Sequence, residues 1–155
     1  MEQESTRYPA VAGQFYLANP EELRQQILGC YRHPLGPGEG PRAMSASLQG
    51  VVGFVIPHAG YYYSGPVAAH AFRRMGELGY PQVAVVLGPN HYGTGQPLAF
   101  SPWAWWHTPL GRMRVDTALG ESLAALVPGL FPDVSAHQWE HSVDCLLYTS
   151  PSPRD

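Results

Sequence analysis

The sequence predicts an α/β fold, a mainly parallel sheet flanked by helices, and three observations carry that prediction. Val51–Ile56 and Gln82–Gly88 are short apolar runs that do not alternate, the pattern of strands buried on both faces. Between them "SGPVAAHAFRRMGELG" reads as a helix, with Ser64 as its cap and Gly79 as its stop. Strand, helix and strand within about forty residues make a βαβ unit, whose parallel crossover is right-handed.

The flanking elements follow from local signals. "RYPAVAGQFY" reads as an extended arm, because Pro9 and Gly13 exclude a helix. In "ANPEELRQQILGCYRH", Asn19 can cap a helix, Pro20 suits its first position, and Glu21 and Glu22 favour the positive end of its dipole. Leu23, Ile27 and Tyr31 then fall on one face. Residues 34–49 are a Pro/Gly/Ser connector. Downstream, a short strand is expected at Pro97–Phe100, a helix in "DTALGESLAALVPG" capped by Asp116, and a further strand at Asp133–Ala136.

Composition bounds the function. A chain of 155 residues with 45% hydrophobic and 14% charged residues fits one packed domain rather than a disordered segment. A net charge of −3 without a basic run marks no nucleic-acid surface. Cys30 and Cys145 form neither a CxxC motif nor a disulfide framework. No stretch has the length of a membrane span, and the acidic start "MEQEST" has no signal-like apolar region. The expected compartment is therefore cytoplasmic.

The histidines supply the chemistry. His58 in "IPHAG" and His91 in "LGPNHYG" each follow an expected buried strand, at the carboxyl ends where open α/β sheets gather ligands. On neighbouring strands, about 4.8 Å apart, two such imidazoles can converge on one ion. The competing reading makes each an ordinary loop histidine. "AHQWEHSVD" offers a third group, in which His141 beside Glu140 could transfer protons near neutral pH, or simply sit on a polar turn. His70 inside a helix and His107 in the aromatic run "WAWWHTPLG" carry less information.

Five blocks, "RYPAVAGQFY", "IPHAGYYYSGPVAAHAF", "VVLGPNHYG", "TPLGRMRVD" and "AHQWEHSVD", stand in the order found in the Memo family. Bacterial and archaeal members of that family are called AmmeMemoRadiSam system protein B. The family resembles the class III extradiol ring-cleaving dioxygenases of LigB type. The resemblance implies an α/β LigB-like fold with His58 and His91 as metal ligands and His141 as a catalytic acid/base. It implies a divalent or redox metal, Fe(II) first and Cu as the alternative, because a cysteine from the C-terminal half replaces the carboxylate ligand of the dioxygenases. It further implies a metal-dependent redox protein, or alternatively a non-catalytic scaffold that keeps the pocket for a small-molecule or peptide ligand. Partner proteins of the AmmeMemoRadiSam set, a radical-SAM protein among them, are implied in the same way.

The chain also departs from that pattern. Family members are about twice as long, so residues 1–144 are expected to be the N-terminal part of one Memo-like domain. The region bearing the third ligand is then missing. "CLLYTSPSPRD", residues 145–155, reads as a non-native, adapter-like tail, and Cys145 is not the missing ligand.

Overall fold

In the computed structural model of the chain, residues 5–41, 47, 50, 53–79 and 81–147 are described. The first elements are a two-residue strand β1 (Thr6–Arg7) and two helices, α1 (Pro20–Arg32) and α2 (Tyr61–Leu78). β2 (Leu98–Phe100), β3 (Trp105–Thr108), β4 (Gly111–Arg114), α3 (Thr117–Leu126) and β5 (Leu130–Pro132) follow. Two single-turn helices, α4 (Val134–His137) and α5 (Asp144–Leu147), close the series.

The architecture is α/β with mixed strand pairing. β1 pairs parallel to β3, and β3 pairs antiparallel to β4; β2 and β5 form a separate parallel pair. The β3–β4 hairpin turns at Pro109 and Leu110, where the Thr108 hydroxyl donates to the Gly111 carbonyl at 2.7 Å.

Helix α1 forms where its caps require. The Asn19 side-chain oxygen accepts from the amides of Glu21 and Glu22 at 3.0 and 3.1 Å, satisfying two of the donors a helix start leaves open. Its buried stripe is Leu23, Ile27, Cys30 and Tyr31, packed on Ala68, Ala69 and Phe72 of α2. Close approach of the two helices depends on Gly65, where a Cβ would collide with Cys30 Sγ. Val11 and Tyr16 of the N-terminal arm complete this core, and Cys145 joins it from α5.

Several local readings need correction. Helix α2 starts at Tyr61 with Gly60 at its cap, three residues ahead of Ser64. The Ser64 hydroxyl donates to the Ala59 carbonyl at 2.9 Å from within the first turn, so it binds the start of the helix without being its cap. Asp133–Ala136 is not a strand. The Asp133 carboxylate accepts from the Ser135 amide at 2.7 Å and caps α4, while the strand lies just before it at Leu130–Pro132.

The two segments flanking α2 are the larger difference. Residues 51 and 52 lie outside the described residues, and 53–56 and 82–88 are not paired in a ladder. Val55 is fully exposed, and Leu87 is 87% exposed. The parallel pairs among the described residues are β1–β3 and β2–β5, so the expected βαβ unit is present here as two unpaired segments around a helix. No described strand lies against their backbone groups, which is why apolar side chains suited to a buried sheet face outward. The chain nevertheless turns after each segment at the expected place, and those turns carry His58 and His91.

Candidate metal centre

Three loops build the site. The first carries His58 and runs directly into α2 through Ala59 and Gly60. Gly60 is needed there, because a Cβ would lie 3.2 Å from the Phe15 carbonyl oxygen. The second carries His91. The third, between α4 and α5, carries Glu140 and His141.

His58 Nε2 and His91 Nε2 face one another at 3.4 Å. The His141 ring lies stacked on His91, with centroids 4.4 Å apart, and its centroid is 6.1 Å from that of His58. Phe15 meets His141 edge-on at 4.7 Å. Gln14, Phe15, Tyr63 and the three histidines line one cavity of about 400 Å3.

Glu140 organises this cluster. Its side chain is buried, and each carboxylate oxygen is engaged. Oε1 lies 2.8 Å from His91 Nδ1 and accepts from the amides of His141 and Ser142, both at 2.8 Å. Oε2 accepts from the His91 amide at 2.7 Å. Burial works to raise the Glu140 carboxyl, but the His91 side chain and the amides of Ser142 and His91 outweigh it and hold the group down to about 2. The carboxylate therefore stays ionised and accepts the Nδ1 proton of His91, which turns the His91 Nε2 lone pair toward His58.

The residues fit a metal ion on three counts. Two imidazole nitrogens bound tetrahedrally at about 2.0–2.1 Å from one ion stand about 3.3–3.4 Å apart, and the His58–His91 separation matches that span. His141 Nδ1 is buried without a hydrogen-bond partner among the described residues, 3.6 Å from Glu140 Oε1. His91, Glu140 and His141 also offer ligand atoms that all lie within 4.8 Å of one another. With four hydrogen bonds already on its oxygens, Glu140 serves better as the group that orients His91 than as a direct ligand.

Burial lowers the affinity of the His141 imidazole for a proton, His91 and His58 add to that effect, and Glu140 opposes it. Cys145 lies on the core side of α5, where burial pushes its thiol up to about 12 and keeps it protonated. It is not one of the lining residues of the cavity.

The structure thus brings His58, His91 and His141 together, from positions up to 83 apart in sequence (141 − 58). Sequence reading set Glu140 beside His141 but foresaw neither its link to His91 nor the part played by Phe15. The grip of Glu140 on His91 spans 49 residues, and no local spacing encodes it. Phe15 reaches the pocket from the N-terminal arm, whose "GQFY" segment gave only an extended backbone as a signal.

The fold and site define an α/β protein whose loops gather three imidazoles and a carboxylate able to hold a metal ion. The chain belongs to the Memo family: the family model for Memo-like proteins matches residues 7–148. It is 45% identical over 141 residues to a MEMO1 family protein of Methanopyrus kandleri, covering 91% of this chain and 50% of that one. MEMO1 family proteins of Ignicoccus hospitalis and Thermotoga neapolitana are each 43% identical, over 141 and 142 residues. Those matches cover 91% of this chain and 50% and 51% of the relatives. The chain spans about half the length of the curated relatives it matches. No helix among the described residues is long and apolar enough to cross a membrane.

Proposed function

We propose that this Memo-family protein is a metal-dependent redox protein with a dioxygenase-like pocket, in which His58 and His91 are the metal ligands and His141 is the acid/base. The observation that carries the reading is the 3.4 Å approach of two ring nitrogens that face each other with Glu140 behind one of them. At that distance the His91 Nε2 lone pair can accept a proton from His58 Nε2 or, with both nitrogens unprotonated, share one cation with it, and the proposal takes the second arrangement. Fe(II) is the first metal to test and copper the second; either would supply one-electron chemistry toward oxygen.

The chain's own residues would prepare that chemistry. Glu140 fixes the ring of His91 and its tautomer. His141, kept neutral near pH 7 by its surroundings, can take a proton from a ligand in the cavity. Phe15 covers one edge of His141 and limits water on that side. Parallel strand pairs flanked by helices support a LigB-like arrangement, and the family relationship supports a cytoplasmic setting with AmmeMemoRadiSam partners.

A second reading, a non-catalytic scaffold holding a small-molecule or peptide ligand, is favoured by the cavity wall, where Phe15 and Tyr63 supply apolar surface. Oxygen uptake separates the two. The protein is loaded anaerobically with Fe(II), then mixed with oxygen and a catechol probe. Sustained uptake that is lost in His141→Gln supports the redox reading; probe binding without uptake supports the scaffold.

A further inference from the structure

Arg7 is buried, with only 3% of its surface exposed, and it lies far in sequence from everything it binds. Its Nε donates to the His137 carbonyl at 3.0 Å, its Nη2 to the Glu140 carbonyl at 2.7 Å, and its Nη1 to Asp144 Oδ1 at 2.8 Å. These acceptors are the two ends and the middle of the loop that carries Glu140 and His141. The guanidinium also lies over the Trp106 ring, 4.1 Å from its centroid, so β3 supports it from one face.

The far side of Asp144 reaches the opposite wall of the cavity. Its Oδ2 accepts from the Ala10 amide and from the Tyr16 hydroxyl, both at 3.0 Å. The arm between those two residues carries Gln14 and Phe15 into the cavity. The Phe15 carbonyl in turn accepts from the Tyr61 amide at 2.8 Å, at the start of α2 just beyond His58. One buried pair therefore touches the loop of Glu140 and His141 on one side and the arm of Phe15 on the other.

We propose that Arg7 is a positioning residue for the site: its guanidinium fork docks the 137–144 loop so that the Glu140 carboxylate meets His91. The bonds from Glu140 to the amides of His141 and Ser142 are local to one turn and form wherever that turn sits. The bonds to His91 require two distant loops to be in register. Ser142 Oγ helps by donating to the Pro89 carbonyl at 3.1 Å, but that contact reaches neither the Glu140 carbonyl nor the ends of the loop. A lysine could not serve the three acceptors, because an ammonium on a flexible stem lacks the planar fork.

This inference rests on the reading of the cavity as a functional site, yet it can be tested without metal. Nitrogen-15 NMR of the metal-free 155-residue chain, at a fixed pH where His91 is neutral, reports which ring nitrogen carries the proton. In the parent chain the Nδ1–H form of His91 should be favoured by roughly tenfold or more, as expected for a hydrogen bond to an ionised acceptor. In Arg7→Lys that ratio should fall at least about fivefold while the far-ultraviolet spectrum and a cooperative melt persist. Asp144→Asn, nearly isosteric and milder, should lower it by a smaller factor.

An unchanged ratio in the folded fraction of either variant overturns the proposal, whatever happens to stability. Failure of both variants to fold also overturns it, since Arg7 would then serve the fold as a whole. A metal titration that fails in the parent chain while the tautomer ratio still responds to Arg7→Lys would remove the metal reading and leave this one standing.

Discussion

Glu140 holds His91 at two points, the ring through Nδ1 at 2.8 Å and the backbone through the amide at 2.7 Å. That double grip fixes both where the imidazole sits and which nitrogen it offers to His58. Replacing Glu140 with Gln keeps the size and removes the charge. Metal affinity should fall about 10- to 100-fold, the usual consequence of losing a carboxylate behind a metal-binding histidine. Calorimetric titration of Glu140→Gln against the parent chain checks this, with the circular-dichroism spectrum unchanged.

The same carboxylate makes stability depend on acid. Its pKa in the folded chain, about 2, lies below its ordinary 4.5. The stabilisation is therefore fully present above about pH 4.5 and is lost as the pH falls toward 2. Urea melts from pH 6 to pH 2.5 should show a steeper decline for the parent chain than for Glu140→Gln. Parallel curves would contradict the account.

The α1–α2 contact predicts a paired effect. Gly65→Ala should destabilise by about 1–3 kcal/mol through overpacking against Cys30, despite alanine's better helix propensity. Cys30→Ala in the same chain should recover most of that loss, because the sulfur that collides has gone. Denaturant midpoints of the two single variants and the double variant measure the coupling.

Asn19→Ala should cost about 1 kcal/mol, since it releases the amides of Glu21 and Glu22 at an exposed helix start. The loss should appear in the urea midpoint with no change in the slope.

The outward-facing apolar segments predict association. Val55 and Leu87 expose nearly all of their surface beside backbone that no described strand pairs. Val55→Lys and Leu87→Glu should reduce hydrophobic-dye binding and self-association, and shift stability by no more than about 0.5 kcal/mol. Sedimentation at several concentrations compares the variants with the parent chain.

Legibility from sequence followed the range of the interaction. Asn19 with Pro20, Asp116 before α3 and Gly79 after α2 act within one turn; the first two start their helices and the third stops its helix where the sequence indicates. Asp133 shows the limit of local reading, since "DVSA" suits either a short strand or a capped turn, and the carboxylate decides for the turn. The β3–β4 hairpin was missed because "WAWWHTPLG" reads first as an aromatic run, although Pro109 and Gly111 bracket its turn. In the site, Pro and Gly beside His58 and His91 mark where the chain turns, and the structure brings the two rings together although the segments before them are not paired as strands. The contacts of Glu140 and Arg7 join segments 49 and more than 130 residues apart, and such pairings arise only from the fold.

The proposed metal site requires His58 and His91 to hold one metal ion between them. Anaerobic calorimetric titration of Fe(II) into the metal-free chain, repeated with copper, tests it most directly. One ion should bind per chain, with His58→Ala and His91→Ala each weakening the affinity about 100-fold or more, because half of the paired donors is removed. Binding of undiminished affinity in both variants would contradict the claim.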